Sequence, residues 1–198
     1  MVVIMRKAQN LVCGVGVNDS DYQTSKLLNG KYVKCKYFQT WQGMIERCYS
    51  EKFQLRNPSY IGCTVDSSWF SFMQFKAWMK DQHFEGMRLD KDILKPGNMI
   101  YSKENCAFVT ELTNNFVVDR GAARRGDLVG ASWCKNRKKY FCLISNPFTG
   151  KNEFLGRFNT ALESNMAWKN RKHQLACQLA ELQTDERVAK ALMLRYAK

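Results

Sequence analysis

The sequence predicts an α+β fold assembled from short strands and several helices. Three observations carry that prediction. Apolar residues recur at helical spacing in residues 38–49 and again in 69–79. Short strand-like runs lie at 63–65, 106–109 and 140–144, punctuated by Pro- and Gly-containing turns. From residue 161 the pattern returns to helical spacing. An apolar content of 45% and an aromatic content of 13% suit a packed core, and 198 residues give room for one or two small domains.

Taken in order, residues 1–36 form an N-terminal segment with little pattern. Within it, LVCGVGV at 11–17 reads as a strand ending in an Asn18-Asp19-Ser20 turn. Gly14 and Gly16 lack the third glycine and the βαβ setting that a phosphate cradle needs. Residues 38–49 read as a helix capped by Thr40, with Trp41, Met44, Ile45 and Cys48 at i, i+3, i+4 and i+7. Glu46 and Arg47 point away from that stripe, leaving Arg47 either solvated or on a phosphate. Residues 51–59 read as a polar connection containing Pro58. A second helix spans 69–79, with Trp69, Phe72, Met73 and Phe75 inward, and supports the stretch that follows.

That stretch, 89–115, reads LDKDILKPGNMIYSKENCAFVTELTNN. Asp90-Lys91-Asp92 is closed by Ile93 and Leu94. Pro96-Gly97-Asn98 reverses the chain. Cys106-Ala107-Phe108-Val109 alternates, and Thr110 caps a helix carrying Asn114 and Asn115. The order is strand, loop, strand, helix, a small ββα unit with supporting helices before it. RGAARRG at 120–126 is a basic linker whose Arg120, Arg124 and Arg125 suit phosphate contact. Residues 128–172 hold short strand-like runs, a turn at 146–151 and then a helix from Ala161, with Leu162, Asn165, Met166, Trp168, Leu175 and Ala176 on its apolar side. A last helix, capped by Thr184, has Val188, Leu192 and Tyr196 on its apolar side, for packing on the domain or on a protein partner.

The formal net charge is +13, which predicts an anionic partner, and nucleic acid is the first candidate. An anionic membrane surface is the second candidate but is not expected, because no long basic amphipathic helix supports it, and no apolar run approaches the roughly 18 residues of a span. The opening MVVIMRK has its charges after its apolar residues, the reverse of a secretory leader, so a cytoplasmic location is expected. The eight cysteines form no C-x-x-C pair and only two histidines accompany them. They read as reduced thiols, with no structural zinc expected.

Residues 89–115, with Trp41, Met44, Arg47, Cys48 and Tyr49 upstream and then Tyr60, Cys63, Thr64, Val65, Trp69, Phe72, Phe75 and Trp78, resemble the phage-borne form of the HNH endonuclease superfamily, often of the homing type. The similarity covers about residues 37–125. It implies a ββα nuclease core over 37–119 that cuts or nicks double-stranded DNA with Mg2+ or Mn2+. By that resemblance Asp90 and Asp92 would hold the metal with Asn115, or Asn114, from the helix. Lys91 would meet the scissile phosphate, Asn98 or Asn105 would brace the loop, and a carboxylate would serve as base. The first strand departs from the family in having no histidine, and His83 before it is a reserve base. The same constellation therefore also fits a catalytically degenerate, HNH-derived regulator or inhibitor that occupies DNA without cutting it.

Gly130, Tyr140, Cys142, Ile144, Leu155-Gly156, Phe158, Thr160, Glu163, Ala167 and Trp168 resemble an Apetala-type DNA-binding domain over 128–175, followed by a helical tail at 176–198. Ala131, Tyr140, Cys142 and Ser164 depart from that family's usual valine, tryptophan and alanines. The resemblance implies a three-stranded antiparallel sheet covered by the helix from Ala161, with Tyr140, Cys142 and Ile144 facing that helix and Phe141, Leu143 and Ser145 facing away. It also implies that the free sheet face enters the major groove. Ser132, Leu143 and Phe154 would then lie against DNA, beside Lys135, Arg137, Lys138, Lys139 and Lys151, with 120–127 as the basic linker.

Overall fold

The structure, a computed structural model, describes residues 11–118 and 128–197. Arg120, Arg124 and Arg125 of the expected linker lie outside the described residues. The fold is mixed α+β with small sheets. The chain divides into two compact units, one of residues up to Phe108 and one from Val109 onward.

In the first unit, residues 12–17 form a tight turn rather than the expected strand, closed by Val12 and Gly16 in a single bridge. Val17 then bridges to Ser71. Gly16 is needed there because an added Cβ would sit 3.0 Å from the Trp41 ring. Strands β1 (Ser25–Leu28) and β2 (Lys31–Lys34) form an antiparallel hairpin. Its Asn29-Gly30 tip takes the left-handed conformation at both residues, which suits the twist of a two-residue turn.

Helix α1 (Lys36–Tyr49) starts earlier than expected, after Cys35, so Thr40 is not its cap. The Thr40 hydroxyl instead donates to the Lys36 carbonyl within the helix (2.9 Å). Trp41, Met44, Ile45 and Cys48 are buried as the spacing predicts. The expected polar connection holds a short helix, α2 (Glu51–Arg56), capped by Ser50, and a 3-10 turn at Pro58–Tyr60. Strand β3 (Thr64–Val65) follows. The second amphipathic segment is split. Trp69 lies on a 3-10 turn, Ser67–Phe70, and α3 (Phe72–Lys80) begins only after Ser71. Asp19 explains the break, since its carboxylate accepts from the Ser71 hydroxyl (2.6 Å) and the Met73 amide (2.9 Å) at the start of α3.

Strands β4 (Arg88–Asp90), β5 (Ile100–Tyr101) and β6 (Ala107–Val109) complete the 88–109 region. β5 pairs in parallel with β3, and β4 pairs with β6. The core gathers the rings of Trp41, Trp69, Phe72 and Phe75 with Met44, Met79 and Leu89. Cys106, Ala107 and Phe108 are all buried, so the period-two run has no exposed side.

In the second unit, α4 (Glu111–Val117) is capped by Thr110, whose hydroxyl accepts from the Thr113 amide (3.2 Å). Strands β7 (Ser132–Cys134), β8 (Lys139–Ser145) and β9 (Asn152–Phe158) form an antiparallel sheet in that order. Helix α5 (Ala161–Ala180) covers one face and opens with a reciprocal capping box between Thr160 and Glu163. Its inward stripe differs from the expected one. Leu162 and Met166 are exposed, and Ser164, Asn165, Lys172, Leu175, Ala176 and Leu179 are buried. Hydrogen bonds rather than apolarity set that phase. Ser164 Oγ donates to the Gly130 carbonyl (2.7 Å) and Asn165 Nδ2 to the Val129 carbonyl (2.8 Å). Trp168 packs where a Cβ on Gly130 would stand, 2.4 Å from its own Cβ. Helix α6 (Glu186–Arg195) is capped by Asp185, one residue later than expected, with Val188 and Leu192 buried.

Candidate nucleic-acid interface and the acid–lysine–amide loop

Two places hold the residues singled out in the sequence. The first is the loop between β4 and β5. Lys91 is buried there, and its Nζ donates to both Asp92 oxygens (2.9 and 2.8 Å) and to the Asn98 carbonyl (2.8 Å). Asn98 answers across the same gap, its Nδ2 donating to the carbonyls of Lys91 (2.9 Å) and Ile100 (2.7 Å). The loop is thus braced by Asn98, while Asn105 reaches the Ile100 carbonyl only at 3.5 Å. Asp90 Oδ1 accepts from the amides of Asp92 (2.7 Å) and Ile93 (2.6 Å), turning the chain out of β4.

The electrostatics follow from this packing. Burial raises the pKa of Asp90 against the opposing pull of its two amide donors. Burial works against the charge of Lys91, but its bond to Asp92 overcomes that and leaves its pKa above the ordinary lysine value. Burial pushes the nearby thiols of Cys48 and Cys106 up to about 12, so both are protonated at neutral pH.

The donor set does not suit a divalent ion. Both oxygens of Asp92 face an ammonium, and a metal would have to displace it from a buried position where the Asn98 carbonyl also depends on it. Among the described residues, no group of three or more His, Cys, Asp or Glu side chains converges as a metal site. Asn115 is exposed on α4. His83 is exposed ahead of β4.

Arg47, expected either in solvent or on a phosphate, is turned inward. It is half-buried, and its guanidinium donates to the buried Tyr101 hydroxyl (3.3 Å). It ties α1 to β5 instead of pointing into solvent.

The second place is the face of the β7–β8–β9 sheet opposite α5. Directly opposed residues in antiparallel strands share a face. Ser132, Phe141 and Arg157 therefore form one row, Leu143 and Phe154 a second, and Ser145 and Asn152 a third. Glu153 marks the other side, where it receives a two-pronged bond from Arg171 of α5 (2.6 and 2.9 Å). Lys135, Arg137, Lys138 and Lys139 are exposed at the turn leading into β8, and Lys151 is exposed at the turn leaving it. β8 has seven residues, so these turns lie about 20 Å apart.

Arg157 was not picked out by sequence reading. Strict alternation from Phe154 puts it on the α5 side. A β-bulge interrupts the register between Cys142 and Leu143, opposite Leu155 and Gly156, and shifts the phase by one. The signal was Gly156, whose backbone at φ 131° is a glycine conformation. The shift lays the Arg157 guanidinium over the Phe154 ring, 5.1 Å from its centroid.

The two departures at Cys142 and Ser164 meet inside the domain, where the Ser164 hydroxyl approaches the Cys142 thiol while also holding Gly130. Comparison with protein-family models, with curated proteins and with solved structures found no match to this chain.

Proposed function

We propose that the chain is a double-stranded DNA-binding protein that seats the outer face of β7–β8–β9 in the major groove. We propose further that it occupies DNA without cutting it. The observation that carries the first part is the composition of that face. It offers a ring-stacked arginine, Arg157, and two exposed apolar side chains, Leu143 and Phe154. An arginine can bond the guanine edge bidentately, and apolar side chains suit the thymine methyl. The basic turns at the two ends of β8 are about 20 Å apart, against a groove about 12 Å wide, so they would reach the phosphates on both walls. The formal charge of +13 supplies the sequence-independent part of the affinity.

The second part rests on Lys91. An ammonium bonded to both oxygens of Asp92 takes the place where the nuclease reading needs a cation. On this reading Lys91, Asp92 and Asn98 form a clamp that holds the fold. Incubating the protein with supercoiled plasmid and Mg2+ or Mn2+, with and without chelator, tests both parts. Retarded plasmid with no nicks under any metal is expected. Chelator-sensitive nicks lost in Asp92→Ala would restore the nuclease reading, and absence of any retardation at low salt would remove the DNA reading.

A further inference from the structure

The β1–β2 hairpin is tied to α1 at Lys34, whose Nζ donates to Gln42 Oε1 (2.7 Å), and is otherwise largely exposed among the described residues. Only Ser25 among its eight strand residues is partly covered, and both faces are exposed. Its base is fixed. The Cys35 amide donates to the Thr24 carbonyl (2.8 Å), and Tyr22, just before it, lies under Lys76 (3.9 Å) and against Phe72. Beyond that base Leu27, Leu28, Tyr32 and Val33 stand in solvent, Tyr32 at 77% exposure. A two-stranded ribbon with its apolar side chains in water is marginal alone, which points to a binding partner.

We propose that this hairpin is a second DNA-contacting element, a basic ribbon that enters a groove of duplex DNA. The inference rests on the DNA-binding reading above but not on the sheet. Residues 25–36 contain Lys26, Lys31, Lys34 and Lys36 and no acid. The register puts Lys26 with Val33 and Leu28 with Lys31 on one face, and Ser25 with Lys34 and Leu27 with Tyr32 on the other. Each face is therefore basic and apolar at once. A bilayer surface would be met by one apolar face, which neither side provides. A second copy of the hairpin would bring lysines against lysines. A groove, by contrast, presents phosphates on both walls and base edges between them. A four-residue strand extends about 13 Å, enough to span a major groove roughly 8.5 Å deep, and a two-stranded ribbon fits its width.

The test uses the full chain with a 20-base-pair duplex, titrated by fluorescence anisotropy across a salt series. Lys26→Gln/Lys31→Gln is expected to lower the salt slope by about 2, one counterion step per lost phosphate contact, and to weaken binding at least tenfold at 0.1 M salt. Tyr32→Ala is expected to weaken binding with little change in slope. Both variants should keep the parent melting curve, since their side chains are exposed. Unchanged affinity and slope in both, with binding still lost in Arg157→Ala, would overturn the ribbon and leave the sheet reading intact. Loss of binding to phosphatidylserine vesicles with DNA binding unaltered would also overturn it. A parent protein that binds no duplex would overturn both readings together.

Discussion

Replacing Lys91 with methionine isolates the clamp, because methionine keeps most of the stem's packing and removes only the ammonium. Three acceptor contacts are lost, two to Asp92 and one to the Asn98 carbonyl. The Asn98 group is buried, and an unsatisfied buried carbonyl costs about 1–3 kcal/mol. The Asp92 side chain is 42% exposed, so water screens its loss and that part is about 1 kcal/mol. Lys91→Met should therefore destabilise the first unit by about 2–4 kcal/mol, read as a lowered urea midpoint at unchanged slope. The pH dependence has a definite sign. The folded pKa of Lys91 is raised above its unfolded value of about 10.4, so the clamp contributes fully below that pH and is lost as pH rises through the folded value. The difference between parent and variant should accordingly be flat from pH 6 to 9 and shrink in strong base. A loss below about 1 kcal/mol would refute the clamp, since a buried carbonyl cannot lose its donor so cheaply. A melting temperature of the parent raised by millimolar Mg2+ or Mn2+ would refute it independently, because an ion that binds the native state stabilises it by mass action.

Three further predictions concern the second unit. Arg157→Ala should cost about 1–3 kcal/mol in duplex affinity for the preferred sequence and less for random sequence, measured by competition anisotropy. Gly130→Ala combines a backbone at φ 76° with a Cβ 2.4 Å from that of Trp168. It should lower the stability of this unit by about 2–4 kcal/mol, followed by near-ultraviolet circular dichroism under urea. Arg171, then Asn146, hold the Glu153 carboxyl down to about 2. That depressed group contributes stability above its unfolded pKa of about 4.3 and loses it as pH falls toward 2. The stability gap between parent and Arg171→Met should close over that acid window in urea titrations at stepped pH.

Local chemistry was the legible part of this sequence. Thr110 caps the helix that follows it and the Trp41–Cys48 stripe is buried at its spacing, whereas Thr40 and Thr184 give way as caps to Cys35 and Asp185. What failed to show was decided by distant residues. Asp19 breaks the second amphipathic segment from 52 positions away. Gly130 and Val129 turn α5 by hydrogen-bonding Ser164 and Asn165, and so expose Leu162 and Met166. At the acid–lysine–acid run, residue types alone do not show that the Lys91 ammonium turns inward onto Asp92 and the Asn98 carbonyl. Arg157 stayed hidden because period-two counting carries no provision for an extra residue.

The bulge in β9 has a consequence for how such a domain changes over time. The side chains it gathers outward, Arg157 and Phe154 with Leu143, are exposed and add little to the packing under α5. Exchanges there should alter what is recognised while leaving the melting behaviour nearly untouched. If that face reads DNA as proposed, its target can vary from one descendant to the next while the scaffold beneath stays the same.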